Sequence, residues 1–155
     1  MAIEQLIEDL RKGTGLTRAQ AAVALGKLKD GRASKALIEA LKDSNEGVRS
    51  NAAFALAEIG ATEAALPLAR LLGDPEEWVR KSAAKALGIL KADTAVSLLA
   101  KAIEDPSRIV RKNAIRSLGR IGTPDALHVL RRASAHLDNS IASMAKETLL
   151  KLSGD

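Results

Sequence analysis

Residues 62–91 read TEAALPLARLLGDPEEWVRKSAAKALGILK. In the first half, Ala64, Ala65, Leu68, Leu71 and Leu72 recur at helical spacing. Gly73-Asp74-Pro75 then interrupts the pattern. An Asp followed by Pro predicts an N-cap and a first-turn proline, which together start a helix. The second half places Val79, Ala83, Ala86, Leu87 and Leu90 on one helical face. The stretch is therefore a helix pair, and neither helix is long enough to be stable alone in water.

The pair recurs along the whole chain with a step of 31 residues. Val48-Arg49, Val79-Arg80 and Val110-Arg111 keep that step. So do Leu25, Leu56, Leu87, Leu118 and Leu149, and also Leu6, Leu37, Leu68, Leu99 and Leu130. A fixed period of this length means a stacked array in which each unit buries its apolar face against the next. The expected fold is all-α: an α-solenoid of five stacked helix pairs in a single domain, 1–155. The expected repeats are about 1–31, 32–61, 62–92, 93–122 and 123–155. The predicted helices are 3–12, 17–28, 33–42, 46–59, 63–72, 76–90, 94–103, 107–121, 125–135 and 140–152. Gly60 and Gly122 mark helix ends, and Thr123-Pro124 a restart. Gly26, Ala57, Gly88 and Gly119 share one phase. Glycine inside a helix costs about 1 kcal/mol against alanine, so keeping it there predicts a contact too close for a side chain.

Composition narrows the class of function. Apolar content is carried by Ala, Leu, Ile and Val, because the aromatics number one Trp and one Phe. There is no Cys, which excludes disulfides, thiol catalysis and thiolate metal sites. No apolar run approaches the roughly 18–20 residues of a membrane span, and the N-terminal stretch has no signal-peptide pattern. A cytoplasmic protein without membrane contact is the expectation. The net charge is +5, and residues 93–122 hold most of the excess, with six basic against three acidic side chains. A local basic surface favours acidic partners.

The chain resembles the short HEAT-like repeats, including those of phycobilin lyase subunits and compact archaeal HEAT proteins. The resemblance rests on an Asp closing the first helix, followed by VR-x-x-A-A-x-A-L-G-x-I-G in the second. The motif runs through residues 48–60, 79–90 and 110–122. The resemblance covers essentially the whole chain and is specific for fold rather than function. It implies an inter-repeat ladder in which Asp43, Asp74 and Asp105 pair with Arg49, Arg80 and Arg111 of the same or the adjacent repeat. The same Asp residues suit N-capping.

The resemblance also implies that the second helix of each pair lines a concave surface. There, one ridge varies from unit to unit: Gly47, Asn51, Phe54 and Glu58 correspond to Trp78, Ser82, Lys85 and Ile89, and to Ile109, Asn113, Arg116 and Arg120. Both aromatics, Phe54 and Trp78, lie on it in neighbouring repeats, and aromatics are favoured interface anchors. The alternative is that Trp78 covers the Asp-Pro turn while Phe54 fills a gap between helices. Beside them Lys81, Lys85, Lys112, Arg116 and Arg120 form a basic cluster spaced by one helical turn. Little acid interleaves them along the sequence. The expected binding surface is Asn51, Phe54, Trp78, Lys81, Lys85, Lys112, Asn113, Arg116 and Arg120.

No chemistry-bearing motif accompanies this surface. The two histidines, His128 and His136, stand apart from the ridge, and no His-Glu pair, H-E-x-x-H, phosphate-binding loop or nucleophile elbow occurs. No catalytic residue, metal or cofactor is expected. The expected function is a non-enzymatic scaffold for a protein or peptide of acidic character. The alternative is nucleic-acid binding through the basic cluster, and a tetrapyrrole lyase-type subunit is a third reading carried by the resemblance alone. The fifth repeat departs from the others at Ser134, His136, Ala142 and Leu150, as a terminal cap does, so a monomer is expected.

Overall fold

The computed structural model describes residues 2–154, which contain ten α-helices and no strand. The helices form five antiparallel pairs: α1 (Ile3–Lys12) with α2 (Gly15–Leu28), α3 (Ser34–Ala40) with α4 (Glu46–Ile59), α5 (Ala65–Arg70) with α6 (Glu77–Ile89), α7 (Val96–Ala102) with α8 (Arg108–Ile121), and α9 (Pro124–Ala133) with α10 (Asn139–Leu152). The second helices stack in one row, α2 on α4 on α6 on α8 on α10. The chain is an α-solenoid, and no helix in it is long and apolar enough to cross a membrane.

The in-phase leucines build the core. Leu25, Leu56, Leu87 and Leu118 are completely buried, as are Leu37, Leu68, Leu99 and Leu130. Each such side chain contributes about 1.5–3 kcal/mol of burial, so the column holds the units together. A neighbouring column is covered only in the middle. Ile121 is buried and Ile59 and Leu90 are partly so, but Leu28 and Leu152 are exposed where the stack ends.

The small residues do mark close approach. A Cβ placed on Gly88 would lie 2.8 Å from Cα of Ser117 on the next helix in the row, and one on Gly26 would lie 2.8 Å from Cα of Ala55. Ser117 is itself locked, its hydroxyl donating to the carbonyl of Ala84 at 2.6 Å. In α10 the corresponding position is Leu150, which packs against no further helix among the described residues and is 60% exposed.

Two local expectations need correction. The first helices of the middle units are shorter than their periodicity implies. α3, α5 and α7 are each entered through a 3-10 turn, at residues 31–33, 62–64 and 93–95, and α5 closes in another at 71–73. Pro67 sits in the first turn of α5, where its missing N–H deprives no helical acceptor. The Asp residues at the joints are not N-caps. Asp43, Asp74 and Asp105 each accept from the backbone N–H two residues on, at 2.8–2.9 Å. The following helices start later, at Glu46, Glu77 and Arg108. This is an Asx turn, which positions the carboxylate sideways rather than along the helix axis. Gly60 and Gly122 close α4 and α8 in the left-handed conformation, and Thr123 caps α9 ahead of Pro124.

Candidate binding groove

The joint carboxylates point at the preceding unit. Arg18 Nε and Nη2 donate to Asp43 at 2.7 and 2.8 Å. Arg49 meets Asp74 in the same way at 2.8 and 3.0 Å, and Arg80 meets Asp105 at 2.8 and 3.1 Å. Each pair is a two-bond fork between residues 25 apart, the geometry in which guanidinium and carboxylate match best. The third guanidinium nitrogen, Nη1, donates to the carbonyl of Gly13, Asp43 or Asp74 at the base of its own helix. The bond to the carboxylate raises Arg18, Arg49 and Arg80 above the ordinary arginine range, and the bond from Arg18 holds Asp43 below the ordinary carboxylate range.

The ladder thus runs one register earlier than the three motif arginines alone imply. Arg18 is its first rung, a position found by stepping back 31 from Arg49. Among the described residues Arg111 pairs with no carboxylate: His136 stands where Asp would complete the fourth rung. Arg111 Nη1 still donates to the carbonyl of Asp105 at 2.9 Å, but its Nε is buried without a partner among the described residues. His136 keeps the turn: its Nδ1 accepts from the N–H of Asp138 at 2.9 Å. Its proton is therefore on Nε2, which donates to Glu104 at 2.7 Å.

The variable ridge forms a different surface. Phe54 on α4 is half-buried, and Trp78 at the start of α6 is 58% exposed. Lys81 lies between them, its Nζ 5.2 Å from the centre of the Phe54 ring and 5.4 Å from that of Trp78. Lys85 Nζ is 5.4 Å from Phe54. Cations over ring faces at these distances are held by the ring quadrupoles. The aromatic pair and the two lysines therefore form one cluster, outside the fully buried core.

Three adjoining clefts continue from it along the row. One of about 320 Å³ runs beside Phe54 between Val23, Lys27, Glu58, Lys85 and Ile89. Lys85 and Ile89 also border a second, of about 490 Å³, reaching Gly119, Arg120 and Leu152. Arg120 and Leu152 in turn border a third, of about 330 Å³, between α8 and α10. That third cleft brings Lys112, Arg116 and Arg120 together on one wall, with Ile115, Met144 and Leu152 as apolar lining. Among the described residues, none of Lys81, Lys85, Lys112, Arg116 and Arg120 forms an ion pair.

Two features of this surface are not visible along the sequence. The column of Asn51, Ser82 and Asn113 is tied by hydrogen bonds within the solenoid, and Asn51 also lines the cleft beside Phe54. Asn51 donates to the carbonyl of Ala19 on α2 at 3.1 Å, the Ser82 hydroxyl pairs with that of Ser50 at 2.8 Å, and Asn113 donates to Ile109 on its own helix at 2.8 Å. And the basic wall does face one acid: Glu147 of α10, paired with Lys151 at 2.6 Å, lines the same cleft. Lys151 first, then the charges of Arg116 and Lys112, hold the Glu147 carboxyl below its ordinary range. Among the described residues no cluster of His, Asp or Glu has the arrangement of a metal site.

The profile of HEAT repeats matches residues 3–88 and again 65–150. Among solved structures, a chain in the complex of CpcE and CpcF of phycocyanin lyase from Nostoc sp. PCC7120 is similar at 28% identity and a TM-score of 0.83. The likeness covers all of this chain and 66% of that one. A designed armadillo repeat protein in complex with the peptide (KR)4 is similar at 22% identity and a TM-score of 0.72, over 97% of this chain and 82% of that one. Human deoxyhypusine hydroxylase in complex with glycerol shares the fold at 17% identity and a TM-score of 0.52, over 99% and 85%. No curated protein sequence matches. With the repeat profile spanning nearly every residue and the helix pairs stacked in a solenoid, the chain belongs to the HEAT-repeat family.

Proposed function

We propose that this protein is a non-enzymatic scaffold whose row of second helices holds an acidic peptide segment carrying an apolar anchor. The observation that carries the reading is the cluster of Phe54, Trp78, Lys81 and Lys85, continuous through shared cleft residues with Lys112, Arg116 and Arg120. The partly exposed aromatics supply anchoring area, and cations that form no ion pair among the described residues supply steering and orientation. Asn51 and Asn113 shape the wall. The designed armadillo protein bound to (KR)4 supports the idea that stacked helical repeats can hold an extended peptide, there of the opposite charge.

The test is affinity capture of partners with wild type and with a Trp78→Ala/Arg116→Glu double variant as baits. Loss of an acidic-segment partner from the variant supports the groove, and identical partner sets argue against it. Titration with DNA and RNA at several salt concentrations separates the nucleic-acid alternative. Phosphate binding weakens steeply with salt as counterions are released, whereas binding anchored on Trp78 weakens less.

A second reading has its own support. The 28% identity to a chain of the CpcE–CpcF complex, over all of this chain, favours a role as one subunit of a two-protein assembly. A single partner captured in equal amount, unaffected by the double variant, is the result that reading predicts.

A further inference from the structure

The cleft between α8 and α10 has one basic wall and one mixed wall. Lys112, Arg116 and Arg120 follow each other at four-residue spacing on α8, and all three are exposed. The α10 wall contributes the Glu147–Lys151 pair above Met144 and Leu152. Charges of one sign at this spacing repel each other along a helix. An arginine fork favours a planar carboxylate, and the apolar lining favours a ligand that brings a hydrocarbon side chain with its charge. At about 330 Å³ the cleft has the size of a small-ligand pocket.

We propose that this cleft is the subsite for a carboxylate-flanked apolar side chain of an acidic peptide, and that Glu147 stands in for the peptide's carboxylate when the site is empty. The inference rests on the groove reading given above and adds to it an internal competitor. Glu147 is held only by an exposed pair with Lys151 one turn away, with both side chains more than 60% exposed. Such pairs hold weakly and release readily. A peptide carboxylate arriving at Arg116 and Lys112 meets the repulsive field of Glu147 on the facing wall, so the native side chain sets a ceiling on affinity.

Fluorescence anisotropy of a fluorescein-labelled peptide with a repeating Glu-Leu block tests this at low salt, with a Gln-Leu peptide as control. Glu147→Gln is expected to bind the Glu-Leu peptide about five-fold tighter than wild type, the scale of one exposed charge pair. The Gln-Leu peptide should show no such gain. Glu63→Gln makes the same change of net charge at an exposed site outside the cleft and should leave affinity unchanged. Equal tightening by Glu63→Gln, or no tightening by Glu147→Gln while Arg116→Glu still weakens binding, overturns the stand-in role and leaves the groove reading intact. No binding of the Glu-Leu peptide to wild type or to Glu147→Gln overturns both. Far-UV circular dichroism of each variant checks that the helices persist.

Discussion

The two sets of cations in this molecule differ in what faces them. Along the joints, Arg18, Arg49 and Arg80 each meet a carboxylate of the next unit in a two-bond fork, the same pattern at three successive rungs. Along the groove, Lys81 and Lys85 lie over aromatic rings, and Lys112, Arg116 and Arg120 have no ion-pair partner among the described residues. Residues that repeat in phase hold the solenoid together. Residues that change from unit to unit place cations on its surface that form no ion pair among the described residues, with Glu147 the acid that faces those of α8. The difference separates a structural use of arginine from the partner-binding use proposed above.

The sharpest way to break the comparison is to delete a carboxylate from the ladder. Arg49 and Asp74 expose only 13% and 6% of their side chains. Asp74→Ala leaves a largely buried guanidinium uncompensated and also removes the turn to Glu76. Stability should fall by about 3 kcal/mol, measured by urea denaturation. A loss under about 0.5 kcal/mol, the size of a surface effect, would contradict the structural role.

The incomplete fourth rung sharpens it from the other side. His136→Asp offers Arg111 the carboxylate that the other three rungs have and keeps an acceptor for the N–H of Asp138. The variant should gain about 1 kcal/mol, the net of a charge-assisted bond against the lost contact with Glu104. Unchanged or lower stability would mean that the terminal unit does not seat as the others do.

Acid titration isolates the first rung. The folded Asp43 carboxyl titrates below its unfolded value because Arg18 bonds it. Its contribution is therefore complete above the ordinary carboxylate pKa of about 4 and disappears as pH falls through the lowered folded value. Asp43→Asn should be less stable than wild type at pH 7, and the two melting temperatures should converge on acidification toward pH 3. Parallel curves would exclude the linkage.

How much of this was readable in the chain depends on whether the repeat or the neighbour decides it. The leucine columns and the glycine phase follow from the 31-residue step, because packing recurs with the unit, and the caps at Gly60, Gly122 and Thr123 follow from residue type. Arg18 follows from the same step once Arg49 is known. The Asx turns did not follow, since Asp-Pro serves equally well as a helix cap, and only the guanidinium of the preceding unit selects the sideways carboxylate. Nor did the hydrogen bonds of Asn51, Ser82 and Asn113, because they depend on which groups of the same or the neighbouring helix come within reach. Glu147 lies about one repeat beyond the cations it faces, so spacing along α8 alone did not reveal it.

The smallest expected effects on stability are in the groove. Trp78→Ala and Arg116→Glu remove exposed side chains and should each change stability by no more than about 0.5 kcal/mol. Their effect belongs to binding. The most direct test of the central claim is therefore anisotropy titration of the labelled Glu-Leu peptide against wild type, Arg116→Glu and Trp78→Ala, with urea stability measured on the same samples. Saturable binding to wild type, lost in both variants at unchanged stability, is the predicted result. Equal binding by all three proteins, or loss of binding only where stability is also lost, would contradict a groove whose charges are reserved for a partner.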